Sequence, residues 1–151
     1  MGENSLTGGC QCGAVRYRLD HEPRGATVCH CRMCQKALGS PYGAYAPMAR
    51  EALVFTRGAP KNFRSSEIAE RGFCAECGTP LTYRNVASAR ISVTMGSLDD
   101  PNAVAPEFQL DADNALVWVR ACLDTPNTQV ADWLSSKHIA DVGNRQHPDR
   151  E

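Results

Sequence analysis

The 151-residue chain is 42% hydrophobic and 22% charged, with 16 basic residues against 17 acidic ones and a formal net charge of −1. This composition and length fit a single domain over 1–151, with a core at about 5–142 and a frayed polar tail over 143–151. Balanced charge without a dense basic run argues against a nucleic-acid partner, and no apolar run approaches the roughly 20 residues needed to cross a bilayer. With no leader-like pattern in the first nine residues, a cytoplasmic protein with no membrane partner is expected.

In chain order, short β segments punctuated by Gly and Pro dominate. Residues 14–19 alternate, so that Val15, Tyr17 and Leu19 share one buried face. Further strands are expected at 42–46, 53–56, 68–73, 81–83, 90–95, 107–110 and 116–120, with turns at 56–58 and 99–102 between them. Phe55, Phe73, Ile91, Phe108 and Trp118 on these strands read as core. Helix is scarce: one short C-terminal helix is expected from Thr125 as cap and Pro126 as first residue, with Val130, Trp133 and Leu134 on one face. The pattern is that of small antiparallel sheets.

Seven of the eight cysteines fall into three clusters: Cys10 and Cys12; Cys29, Cys31 and Cys34; Cys74 and Cys77. In a reducing compartment such clusters point to metal binding rather than to disulfides, and a Cys-x-Cys pair closes awkwardly on itself. Zinc takes four thiolates in a structural site and leaves a position open in a catalytic one. Seven ligands therefore divide into four and three. Two compact pairs complete a tetrahedron, which joins Cys10 and Cys12 to Cys74 and Cys77 as a structural site; Gly13 and Gly78 suit the turns that follow each pair.

Cys29, Cys31 and Cys34 remain as an open, catalytic set. Zinc with three thiolates carries −1 and favours a soft sulfur visitor, so the expected substrate is a thiol activated as a nucleophile. His30, between two ligands on an extended segment, points away from them and reads as a core, hydrogen-bonding or proton-shuttling histidine rather than a ligand. Cys122 reads as a buried free thiol, with a fourth ligand to the second site as the alternative. An iron–sulfur centre is disfavoured because the split clusters lack the usual ferredoxin spacings.

The segments 8–17, 29–34, 39–44 and 73–81, with later stretches at 96–101 and 106–110, make the chain resemble the glutathione-dependent formaldehyde-activating family, whose broader domain also occurs in centromere protein V. The resemblance implies a β-tent-like fold around zinc, with Cys10, Cys12, Cys74 and Cys77 as structural ligands and Cys29, Cys31 and Cys34 as the catalytic set. It also implies a carbon–sulfur lyase activity, in which glutathione and formaldehyde condense to S-(hydroxymethyl)glutathione. Gln109 stands where many members carry His, and Val117 replaces a common Pro before Trp118. Arg32, Lys36 and Arg64 are candidates to hold a glutathione carboxylate, with a solvated surface charge as the favoured reading of each. The competing class is a non-catalytic zinc module for protein interaction.

Overall fold

A computed structural model describes residues 5–137 and 143–149. In chain order the elements are β1 (Leu6–Gly9), β2 (Arg16–Leu19), β3 (Thr27–Cys29), α1 (Arg32–Leu38), β4 (Gly43–Ala49), β5 (Leu53–Arg57), β6 (Lys61–Arg64), β7 (Ala69–Phe73), β8 (Pro80–Asn85), β9 (Arg90–Thr94), β10 (Phe108–Leu110) and α2 (Val130–Ser136). Strands β1, β2 and β5 form a small antiparallel sheet in that order. The other seven form a second sheet, ordered β10-β3-β4-β9-β8-β7-β6. Its pairings are antiparallel except at one edge, where β10 runs parallel to β3.

The two sheets share one core. Tyr17 and Leu19 of β2 and Leu53 of β5 pack with Ala46 and Met48 of β4, Leu81 of β8 and Val93 of β9. Full burial of a side chain of this size contributes about 1.5–3 kcal/mol. Val15, Tyr17 and Leu19 are buried as the alternation predicts, but so is Arg16, which departs from it. Its guanidinium reaches Asp99 at 2.8 Å, and Thr7 Oγ1 donates to the same carboxylate at 2.6 Å. The buried charge is thus paired and hydrogen-bonded, the condition under which burial of a charge is tolerated.

Several expectations are corrected. Residues 116–120 form no strand; they turn into a 3-10 segment, Ala121–Asp124, and Trp118 is half-exposed. Phe108 is half-exposed too, because β10 is an edge strand of three residues. Phe55 and Ile91 do pack against the core, although partly exposed. The C-terminal helix begins at Val130 rather than beside Thr125, whose hydroxyl is spent on the Cys122 carbonyl at 2.6 Å and leaves no cap there. Val130 and Trp133 on it remain exposed.

A second helix, α1, and the strands β1, β3 and β6 went unforeseen. Two of the four residues of β1 are glycines, β3 has three residues, and all of β6 is exposed, so none carries a hydrophobic period. In the tail, the His147 amide donates to the Gln11 carbonyl at 2.7 Å; the tail's last two residues lie outside the described residues. Among the described residues no helix is long and apolar enough to cross a membrane.

Candidate metal centres

Cys10 follows β1 and Cys74 follows β7, and each opens a tight turn that closes on a glycine. The Gly13 amide donates to the Cys10 carbonyl at 3.0 Å and the Gly78 amide to the Cys74 carbonyl at 2.9 Å. Both glycines have φ of +77°, a conformation open to Gly at no steric cost. The turns bring the sulfurs of Cys10, Cys12, Cys74 and Cys77 within 4.8 Å of one another. Cys10 and Cys12 are 3.6 Å apart, and Cys12 and Cys74 are 3.9 Å apart. Ligands about 2.3 Å from a tetrahedral centre lie about 3.8 Å from each other, whereas a disulfide needs about 2.05 Å. The spacing fits four ligands around one ion, and all eight cysteines are free thiols.

Polar groups surround these sulfurs. The Val15 amide donates to Cys10 Sγ at 3.2 Å. Thr79 Oγ1 lies 3.1 Å from Cys77 Sγ and accepts from the Gln11 amide at 3.1 Å, which ties the two turns together. Burial opposes ionisation of Cys77, but the Thr79 hydroxyl and amide, with the Cys12 amide, bring its thiol down to about 6.

The second group forms where β3 meets α1. Cys29 is the last residue of β3, Cys31 caps α1 by accepting from the Cys34 amide at 3.4 Å, and Cys34 lies in the helix's first turn. Their three sulfurs lie within 4.8 Å of one another, compact enough to hold a metal ion. The loop is braced from behind: the His30 amide donates to the Leu110 carbonyl at 2.9 Å, and Gln35 Nε2 donates to the carbonyls of His30 and Asn114 at 2.9 and 3.2 Å. The buried His30 ring sits outside the sulfur group, with Nε2 2.9 Å from Gln109 Oε1 and an edge-on contact to Tyr42.

Arg71 of β7 is buried beside this group. Its Nη2 donates to Cys34 Sγ at 3.4 Å and its Nη1 to the Tyr45 hydroxyl at 2.8 Å, while the guanidinium lies 5.0 Å from the Tyr83 ring centroid. Tyr45 donates in turn to Cys34 Sγ at 3.6 Å. Burial alone would push the Cys34 thiol up, yet the hydrogen bonds from Arg71 and Tyr45 hold it below the ordinary cysteine value. Burial, then the neighbouring Cys34, pushes Tyr45 up, so its hydroxyl stays protonated as a donor. The Tyr45 ring covers Gly43, where a Cβ would come within 2.5 Å of it.

All three sulfur-bearing residues line a cavity of about 440 Å³, together with Arg24, Arg71 and Arg90. A larger cavity, about 630 Å³, shares the wall of Met33, Tyr45 and Arg71 but no cysteine lines it, so its size does not make it the site of sulfur chemistry. In the four-cysteine group, Cys10 borders a smaller cavity, of about 130 Å³.

Some expected roles move. Arg32 and Lys36 line the larger cavity rather than the one the cysteines line. Arg64 donates to the carbonyls of Ser66 and Glu67, at 3.0 and 2.6 Å, and so serves its own turn. Cys122 is exposed, with its Sγ 2.9 Å from the Val119 carbonyl, rather than buried or gathered with the other sulfurs. Arg71, Tyr45, Arg24 and Arg90 were not picked out from the sequence; the charged residues Glu70 and Arg71 inside the run 68–73 were the one available signal.

The family described as glutathione-dependent formaldehyde-activating enzyme matches the chain over residues 5–113. A fission-yeast (Schizosaccharomyces pombe) protein named as an uncharacterised lyase is 32% identical over 76 residues, half of this chain and 55% of its own length, so the chain spans little more than half of that relative. A Halomonas elongata protein named as a candidate glutathione-dependent formaldehyde-activating enzyme is 26% identical over 148 residues, covering 85% of this chain and 93% of its own. A crystal structure of a Rhodobacter sphaeroides protein superposes with a TM-score of 0.55 at 20% identity, over 68% of this chain and 98% of that one, a likeness of fold. The paired cysteine centres and the match across most of the chain lead to one conclusion: the chain belongs to the glutathione-dependent formaldehyde-activating family.

Proposed function

We propose that the chain is a zinc-dependent, carbon–sulfur lyase-type enzyme that activates a thiol such as glutathione for addition to formaldehyde or another small aldehyde. Cys10, Cys12, Cys74 and Cys77 hold a structural zinc, and Cys29, Cys31 and Cys34 hold a second with one position open. The observation that carries this reading is that all three cysteines of the smaller group line a cavity of about 440 Å³. Eight free thiols suit a cytoplasmic setting.

Zinc bound by the three cysteines would supply the Lewis acidity that lets a substrate thiol lose its proton near neutral pH. Arg71 sets a fixed positive charge against the Cys34 sulfur, offsetting the −1 of three thiolates on a divalent ion. Tyr45 donates to the same sulfur and keeps it oriented. Tyr83, Phe108 and Leu110 give the cavity part of its apolar lining. In the reaction the substrate sulfur forms a bond to the aldehyde carbon, the carbonyl π pair moves to oxygen, and the proton released by the thiol ends on that oxygen as a hydroxyl.

A protein-interaction module is the second reading, favoured by the exposed Val117, Trp118, Leu123, Val130 and Trp133. Formaldehyde exchange with glutathione, followed by NMR with and without the zinc-loaded protein, separates the two. Faster adduct formation than the uncatalysed background, lost in Cys34→Ser, supports the enzyme; no acceleration by protein carrying two zinc ions overturns it.

A further inference from the structure

The cavity lined by Cys29, Cys31 and Cys34 has an unbalanced charge. Arg24, Arg71 and Arg90 line it, and no Asp or Glu is among the described residues that do. Arg71, at the sulfur end, is 8% exposed, and its Nε has no hydrogen-bond partner. Arg90 is fixed at the rim by Nη2, which donates to the Arg24 carbonyl at 2.8 Å and to the Pro47 carbonyl at 3.4 Å. Glu107 sets one carboxylate beside the rim, its Oε1 accepting from the amides of Gly25 and Ala26 at 2.6 and 3.2 Å, so the guanidinium groups outnumber it.

Even against the −1 of three thiolates on a divalent ion, three guanidinium groups with no carboxylate among the described lining residues favour a bound anion over a bound ammonium. Glutathione carries two carboxylates and one ammonium at neutral pH. We propose that this site selects its thiol by carboxylate groups, held by Arg24 and Arg90, and disregards the ammonium. Its substrate class is then the carboxylate-bearing thiols as a group, of which glutathione is one. The proposal rests on the reading of an open thiol-binding site given above and adds the charge rule that sorts the thiols.

The test uses the zinc-loaded protein and calorimetric binding of glutathione, N-acetylglutathione, glutathione diethyl ester and cysteamine. N-acetylglutathione, which lacks the ammonium, should bind as well as glutathione or better. The diester and the cationic cysteamine should bind about tenfold or more weakly, the scale of a charge-assisted hydrogen bond. In Arg24→Gln/Arg90→Gln protein with unchanged zinc content and thermal stability, the gap between acid and ester should close. Equal binding of acid and ester by the native protein, or a tenfold loss on N-acetylation, overturns the charge rule and leaves the open site standing. Failure of every thiol to bind overturns the open site and the rule with it.

Discussion

The two cysteine centres use the same ligand chemistry in opposite settings. At the four-cysteine centre two glycine-closed turns face each other, and the surrounding polar groups belong to those turns: the Val15 amide on Cys10, and Thr79 on Cys77. At the three-cysteine centre the partners come from distant strands, Arg71 of β7 and Tyr45 of β4, and the ligands face a cavity. The difference teaches that ligand number alone does not set the role. The four-cysteine sulfurs bring two distant chain segments together, and the three-cysteine residues all line a cavity of about 440 Å³.

The largest effect should come from breaking the four-cysteine centre. Structural zinc contributes on the order of 10 kcal/mol, comparable with the whole stability of a typical domain, so Cys77→Ser should leave the protein unfolded or insoluble. Cys34→Ser should stay folded with one zinc fewer. Circular dichroism and metal content check this, and a folded Cys77→Ser protein with full zinc would erase the contrast.

Asp99→Asn comes next, because it removes the carboxylate that pairs with Arg16, which is 2% exposed, beside the four-cysteine turn. Loss of one partner of a buried pair costs about 3–5 kcal/mol, read as a lower thermal midpoint with no change in thiol binding. The pH dependence has a defined sign. Burial works against it, but Arg16 and Thr7 hold the Asp99 carboxyl below the ordinary carboxylate range. The pair's contribution is therefore present above the unfolded value of about 3.9 and is lost as pH falls through the lower folded value, an acid limb that Asp99→Asn should flatten.

Arg71→Met acts on the other centre. Removal of a group that hydrogen-bonds a metal ligand typically lowers metal affinity about 10–100-fold, so the second zinc should be taken by weaker chelators while the first is retained. Arg71→Lys should restore part of that affinity. Tyr45→Phe is the smallest change: it deletes one hydrogen bond to Cys34 and leaves Arg71 Nη1 without its acceptor, an effect of about 1 kcal/mol, or roughly fivefold in second-site affinity by competition with a chelator.

The cysteine clusters could be read from sequence because each is local, with one or two intervening residues, whereas the joining of Cys10 and Cys12 to Cys74 and Cys77 followed from the number of ligands an ion takes. The strands with apolar alternation were equally legible, and the buried trio Val15, Tyr17 and Leu19 follows from period two. Arg71 was hidden because its role depends on register. Arg71 pairs with Tyr83 across β7 and β8, and Tyr45 with Thr94 across β4 and β9, so the residues meet through a sheet order that local patterning does not encode. The apolar residues Trp118 and Val130 misled the reading in the other direction, since composition reports hydrophobicity and not whether a partner surface exists.

Stepwise zinc removal tests the contrast between the centres most directly. Protein carrying two zinc ions would be titrated with a mild chelator while zinc per chain, far-ultraviolet circular dichroism and glutathione binding are followed together. The account predicts that one equivalent leaves first, glutathione binding disappears with it, and the β signal persists until the second equivalent is withdrawn. Release of both ions in one step that coincides with unfolding would contradict it.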